Sequence, residues 1–197
     1  MNTVASLVEI EADLVVTPEK GLRLTYQVSN AGRRHVYVYD RLWTLDKKCQ
    51  IVVDPKEAYR YLVDGIYRIH LGSAPLPRSK TTFLRNAPYA TYVPPGGKVS
   101  RTFEMNPPWH EYNFYFEVPG QLSERKVDAK GVEVVIDFLE SDQPVATEPA
   151  AIGPECVKVL DLGLADRVVR WRSSQAPILL DVIQRFDEFE RLEIPSV

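Results

Sequence analysis

The sequence predicts an all-β fold, a sandwich of short antiparallel strands, and three observations predict it. Apolar and polar residues alternate with a period of two in segment after segment, turn residues punctuate those segments, and no helical periodicity appears before residue 156. Successive strand side chains point to opposite faces, so alternation marks a strand with one buried face. Many turn-bounded strands without intervening helices mark a sandwich or barrel rather than an α/β fold. Composition agrees: the 197 residues include 10 Tyr, 7 Phe and 3 Trp, which suit half-buried pleated surfaces. Fifteen Pro against 10 Gly disfavour long helices.

The elements follow in chain order. Val8, Ile10, Ala12, Leu14 and Val16 alternate with Glu9, Glu11, Asp13 and Val15. After a turn at Gly21, Leu22, Leu24, Tyr26 and Val28 alternate with Arg23, Thr25, Gln27 and Ser29, and Asn30-Ala31-Gly32 closes the strand. Asn and Gly tolerate the positive φ such turns need. His35 to Trp43, rich in Val and Tyr, is the third strand, and Cys49 to Val53 is a short apolar run ending at Asp54-Pro55. Tyr59 to Val63 and Ile66 to Leu71 flank Asp64-Gly65, a two-residue hairpin signal. The stretch from Gly72 to Gly97 carries Pro75, Pro77, Pro88, Pro94 and Pro95, with one short strand at Tyr89 to Val93.

Val99, Arg101, Phe103 and Met105 then share a face, on which Arg101 is out of place unless the strand lies at an edge. Asn106 to Trp109 breaks the chain; Tyr112, Phe114, Phe116 and Val118 form an aromatic strand, and Val132, Val134, Ile136 and Phe138 another. Residues 141–155, with three Pro, small residues and acids, read as a loop, and short strands follow at Cys156 to Leu162 and Arg167 to Trp171. Residues 178–192 read two ways. Leu179, Val182, Ile183, Phe186 and Phe189 form a helical stripe with Pro177 suited to the first turn, whereas Ile178, Leu180 and Val182 alternate as in a strand. A helix is the expectation. Its stripe would either dock on the protein's own core or mediate dimerisation. The whole is expected to form a single domain, residues 1–197, with a sandwich core in 1–140, the Pro-rich acidic loop in 141–155 and C-terminal strands and helix in 156–197.

Charge and motif content narrow the functions. The net charge is −3, and the basic clusters are only Arg33-Arg34-His35 and Lys47-Lys48. Nucleic-acid binding depends on clustered Lys and Arg neutralising phosphates, so no nucleic-acid partner is expected. No apolar run reaches the roughly 18 residues of a membrane span. Acids at Glu9, Glu11 and Asp13 interrupt the first segment, which has no basic start, so no secretory leader is expected and a cytoplasmic location is the default expectation.

Cys49 and Cys156 have no CxxC spacing, and His35, His70 and His110 form no ligand pair, so no metal is expected. Cys49 opens an apolar run, the setting of an inert buried thiol. Gly72-Ser73-Ala74 lacks the nucleophile-elbow pattern and Gly96-Gly97-Lys98 the phosphate-loop pattern. Asp40, Asp54 and Asp64 fall at strand ends or turns, where turn chemistry explains an Asp. No catalytic residue and no cofactor are therefore expected.

Two features point to binding. Tyr37 and Tyr39 share one strand face, Tyr59 and Tyr61 another, and Trp43 and Tyr67 lie close in sequence. If these faces coincide and are exposed, they form an aromatic platform for a protein or sugar; if buried, they are cross-strand pairs that stabilise the sheet. The second feature is the proline-rich loop with Pro75, Pro77, Arg78, Pro88 and Tyr89. A connection longer than about 15 residues inside a compact domain is usually functional or disordered.

Val28-Ser29-Asn30, the Val/Tyr strand after it, and Pro94-Pro95-Gly96-Gly97-Lys98 before an alternating strand together resemble bacterial immunoglobulin-like domains. The resemblance covers roughly residues 20–105. It implies an immunoglobulin-like antiparallel β-sandwich, here with extra strands and a C-terminal helix, and carries over no functional residue. A cytoplasmic proteinase-inhibitor family with this fold is similar on the same grounds. The leading expectation is a non-enzymatic protein-binding or assembly module with a protein partner or self-association. The alternatives are an intracellular proteinase inhibitor inserting the 72–97 loop into a protease cleft, and a hydrolase whose site is assembled from separated acids or histidines.

Overall fold

A computed structural model describes residues 7–17, 21–48, 50–53, 57–73, 89–113, 125–150, 156–160, 167–172 and 180–184. Among these residues the regular structure is all β-strand, with no helix. β1 (Val8–Thr17) and β2 (Gly21–Asn30) pair antiparallel over their full length, Val8 opposite Asn30 and Thr17 opposite Gly21. Gly21 has φ 97°, and a Cβ there would collide with the Met105 carbonyl oxygen, so the turn requires glycine.

The next strands are β3 (His35–Arg41), β4 (Trp43–Leu45), β5 (Ile51–Val53), β6 (Tyr59–Val63), β7 (Ile66–Leu71), β8 (Tyr89–Val93) and β9 (Lys98–Met105). β9 pairs with β2, completing a three-stranded sheet β1-β2-β9. Its inner face carries Leu14, Leu22, Leu24, Tyr26, Val28, Val99, Phe103 and Met105, all buried. Glu9, Glu11, Asp13, Arg23, Thr25, Ser100, Thr102 and Glu104 stand on its exposed outer face.

The remaining strands are β10 (Trp109–His110), β11 (Arg125–Ala129), β12 (Val132–Ser141), β13 (Thr147–Pro149), β14 (Cys156–Val159), β15 (Arg167–Arg172) and β16 (Leu180–Gln184). The large sheet runs β13-β14-β8-β3-β12-β7-β6, with β15 also paired to β12. The β7–β12 pair is parallel and the other pairs of this sheet are antiparallel. Val36, Val38, Tyr67, Ile69, Val93, Val132, Val134, Ile136 and Phe138 pack against the three-stranded sheet, forming the core of a two-layer all-β arrangement. A small sheet β10-β16-β11 closes one end of that core through Trp109, Val182 and Ala129, and β4 pairs with β5 as a separate hairpin.

Several expectations are corrected here. The helix expected over 178–192 is replaced at its described part by β16. All five of its residues pair with β11 and two with β10, and Val182 is fully buried. Lateral partners on both sides satisfy the backbone that a helix would have satisfied internally, and the rest of 178–192 lies outside the described residues. A strand, β13, interrupts the loop expected over 141–155. β14 joins the large sheet between β13 and β8, so the tail contributes to the sheets. β10 begins at Trp109, where only a break was expected, and β11 had no alternating pattern to announce it. Of the strand expected over Tyr112 to Val118, Tyr112 and Asn113 are described, and Tyr112 forms an isolated bridge to Arg60. Cys49, Asp54, Pro75, Pro77, Arg78 and Pro88 lie outside the described residues.

Candidate functional site

The tyrosine pairs do coincide on one face of the large sheet. Tyr37 lies opposite Leu139 of β12, Glu133 of that strand opposite Arg68, and Arg68 opposite Tyr61. Residues two apart share a face, which brings Tyr39 and Tyr59 to the same side. That face is covered, however. Tyr37 is 3%, Tyr39 5%, Tyr59 2% and Tyr61 3% exposed, so no open aromatic platform forms there. Tyr37 and Tyr39 pack with Ala90, Leu139 and Val159 in a second, smaller core. Tyr67 points the other way into the main core, Trp43 is half-buried at the root of the β4–β5 hairpin, and Tyr89 is half-buried on β8. Among the described residues the exposed aromatic ring is Tyr92, stacked on His35 with its hydroxyl 2.7 Å from His35 Nδ1.

Next to the tyrosines the same face holds a buried polar chain. Parallel pairing of β7 with β12 sets Arg68 beside Glu133, and Arg68 Nε and Nη2 both reach Glu133 Oε2 at 2.6 Å. His70 Nε2 lies 2.9 Å from Asp137 Oδ1, and the Tyr61 hydroxyl 3.1 Å from His70 Nδ1. A carboxylate accepts, so Nε2 is the imidazole donor towards Asp137, and Tyr61 faces the other ring nitrogen. The Ser73 N–H donates to Asp137 Oδ2 at 2.9 Å. Gly72 leaves room for that carboxylate, which a Cβ would strike. Burial pushes the Tyr61 phenol up to about 12, against the opposing pull of the Arg68 guanidinium. In this arrangement the polar groups bond one another.

A second polar cluster bridges the two layers. Asp40 follows Val36 and Val38 on the inner face of β3, next to a register shift between Val38 and Arg41, so its carboxylate points between the layers. It accepts from Thr91 Oγ1 at 2.6 Å and from the Tyr26 hydroxyl at 3.5 Å, with Arg101 Nε 3.7 Å and Arg41 Nε 4.0 Å away. Burial raises the Asp40 carboxyl, opposed by the Thr91 hydrogen bond and the two arginines. Burial and the neighbouring Asp40 charge hold the Tyr26 phenol well above its ordinary value. Asp40 is therefore a cross-link between sheets, which turn chemistry did not anticipate. The signal for it was Arg101 on an apolar face, a cation that calls for a buried acid opposite.

The surface carries two further features. In the β4–β5 hairpin, Asp46 Oδ1 accepts from the N–H groups of Lys48 and Gln50 at 2.8 and 2.9 Å, and the Asp46 N–H donates to the Gln50 carbonyl at 2.9 Å. Beyond this turn, Ile51 is 50% and Val52 43% exposed. Adjacent strand residues face opposite ways, so solvent reaches both faces of the arm. The other feature is the outer row of β1, where Glu9, Glu11 and Asp13 lead to Val15 at 49% exposed.

Among the described residues no group of three His, Cys, Asp or Glu side chains could hold a metal ion, and no helix is long and apolar enough to cross a membrane. No family model matches the chain, and neither a curated protein nor a solved structure matches it.

Proposed function

We propose that this chain is a non-enzymatic binding or assembly module that engages a protein through its β4–β5 arm. The observation behind this reading is the exposure of Ile51 and Val52 on opposite faces of one short hairpin. An isolated two-stranded ribbon is marginally stable in water, and two half-exposed β-branched side chains leave apolar area that a partner would bury at about 25 cal/mol per Å². The two ends of the large sheet are better defended. Arg60 and Tyr112 exchange backbone hydrogen bonds of 2.9 and 2.7 Å along β6, and Pro149 interrupts the donors of β13. The polar groups of the Tyr61 and Asp40 clusters are engaged with one another inside the protein, which favours a structural part for them.

The immunoglobulin-like assignment draws support from the turns that carry the resemblance. The Asn30 N–H donates to the Gly97 carbonyl at 3.0 Å, the Gly96 N–H to the Asn30 carbonyl at 2.8 Å, and Asn30 Nδ2 to the Val93 carbonyl at 3.2 Å.

The test compares wild type with the Ile51→Asp/Val52→Asp variant by light scattering and by immobilised-bait capture. Association, whether with itself or with another protein, is expected for wild type and lost in the variant, with thermal melts unchanged. Equal association by both proteins would discard the arm as the binding element.

A further inference from the structure

We infer that the arm's partner is a second copy of this chain, received on the outer face of β1. The inference rests on the arm being a binding element and adds the identity of what it binds. The arm presents Lys47 and Lys48 at its exposed tip, with Ile51 and Val52 between that tip and the buried root at Val53. The Asp46 carboxylate is folded back onto the turn's own N–H groups, and Lys47 and Lys48 stand exposed beside it.

β1 offers the complement in the same order. Glu9, Glu11, Asp13 and Val15 occupy one exposed row, because residues two apart share a face, and each step along it is about 6.8 Å. The apolar end is Val15 at 49% exposed, and the acids follow from it towards the amino terminus. An arm laid along this row sets one of its two apolar side chains, Ile51 or Val52, on Val15 while its lysines reach the acids.

Among the described residues nothing on the β2 side cancels the acids of the row. Across β2, Arg23 stands opposite Val15 and bonds Glu104 at 2.6 Å, so its charge is already matched. Lys98 lies two strands away from Glu9, beyond Ser29. The complementarity is local, since two whole copies at −3 each repel. The arm and the row are different surfaces, so a single contact is heterologous; two copies exchanging arms satisfy both contacts at once around a two-fold axis.

Charge exchange tests this directly. One variant carries Lys47→Glu/Lys48→Glu, the other Glu9→Lys/Glu11→Lys/Asp13→Lys, all at exposed positions. Sedimentation across a concentration series at low and high salt reads the association. Wild type is expected to self-associate, about tenfold more weakly at high salt, and each variant alone about tenfold more weakly than wild type. An equimolar mixture of the two variants restores wild-type affinity, because each then meets an opposite charge at both contacts.

A mixture no tighter than the separate variants overturns the inference, as does a wild type that stays monomeric to about 1 mM. Ile51→Asp/Val52→Asp separates the two levels of failure. If wild type is monomeric yet captures another protein in an Ile51- and Val52-dependent way, the second copy is wrong and the binding arm stands. If no association of any kind depends on those residues, both fail.

Discussion

Asp40 is a carboxyl whose folded environment favours its neutral form. With the folded value raised, the folded state holds the proton over a pH range in which the unfolded chain has released it. Its contribution to stability is therefore fully present below the ordinary carboxylate value of 3.8 and is lost as pH rises through the folded value. Asp40→Asn lacks this dependence. The melting temperature of wild type minus that of Asp40→Asn should fall as pH rises from about 4 towards neutrality, and a difference that grows over the range would contradict the buried, raised carboxyl. The Arg68–Glu133 pair gives a different residue-scale expectation. Glu133→Ala leaves a buried guanidinium without its carboxylate and should cost about 3–5 kcal/mol in denaturant unfolding. The apolar double replacement Arg68→Met/Glu133→Leu should recover most of that loss, because the desolvation of both charges disappears together.

Strand β13 shows how an edge is blunted. Its register with β14 directs the Glu148 N–H inward, towards Lys158, and leaves the Thr147 N–H on the open side; Pro149 has none to offer. Pro149→Val restores a donor and should raise light scattering on concentration, with the melting temperature little changed. Elements also differ in how legible they were from sequence. β1, β2 and β9 follow from alternation, since one face meets the core and the other meets water, and the β6–β7 hairpin from its Asp64-Gly65 turn, although β7 is buried on both faces. β12 misleads the same logic: Glu133 and Asp137 look like a solvent face but are buried, because Arg68 and His70 of β7 lie beside them. β11, with a single large apolar side chain in Arg-Lys-Val-Asp-Ala, is a strand because β16 pairs with it. The Tyr61–His70–Asp137 chain depends on a pairing between residues over sixty positions apart, and no local pattern records it.

At the scale of the whole molecule, the late strands complete the sheets. β14 extends the large sheet, β15 pairs with β12, and β16 carries Val182 into the main core. A chain ending at Ser141 lacks all three and exposes the apolar surface they cover, so it should aggregate where the full chain remains dispersed; a soluble, cooperatively melting truncation would refute this. The central position of β12, bonded to β3 and β7 from the first half of the chain, makes the pairing strongly non-local, and refolding on the millisecond-to-second scale is the corresponding expectation for stopped-flow measurement.

Two plates held together by grease alone can slide. The facing layers of this protein meet mostly through aliphatic and aromatic side chains, whose attraction has no direction and tolerates small displacements of one layer over the other. Asp40, reached from one layer by Thr91 and from the other by Tyr26 and Arg101, acts as a dowel through both. Replacing that set with well-packed apolar side chains should leave the protein as stable or more so, while the layers lose their single alignment and the amide resonances of β2 and β3 broaden.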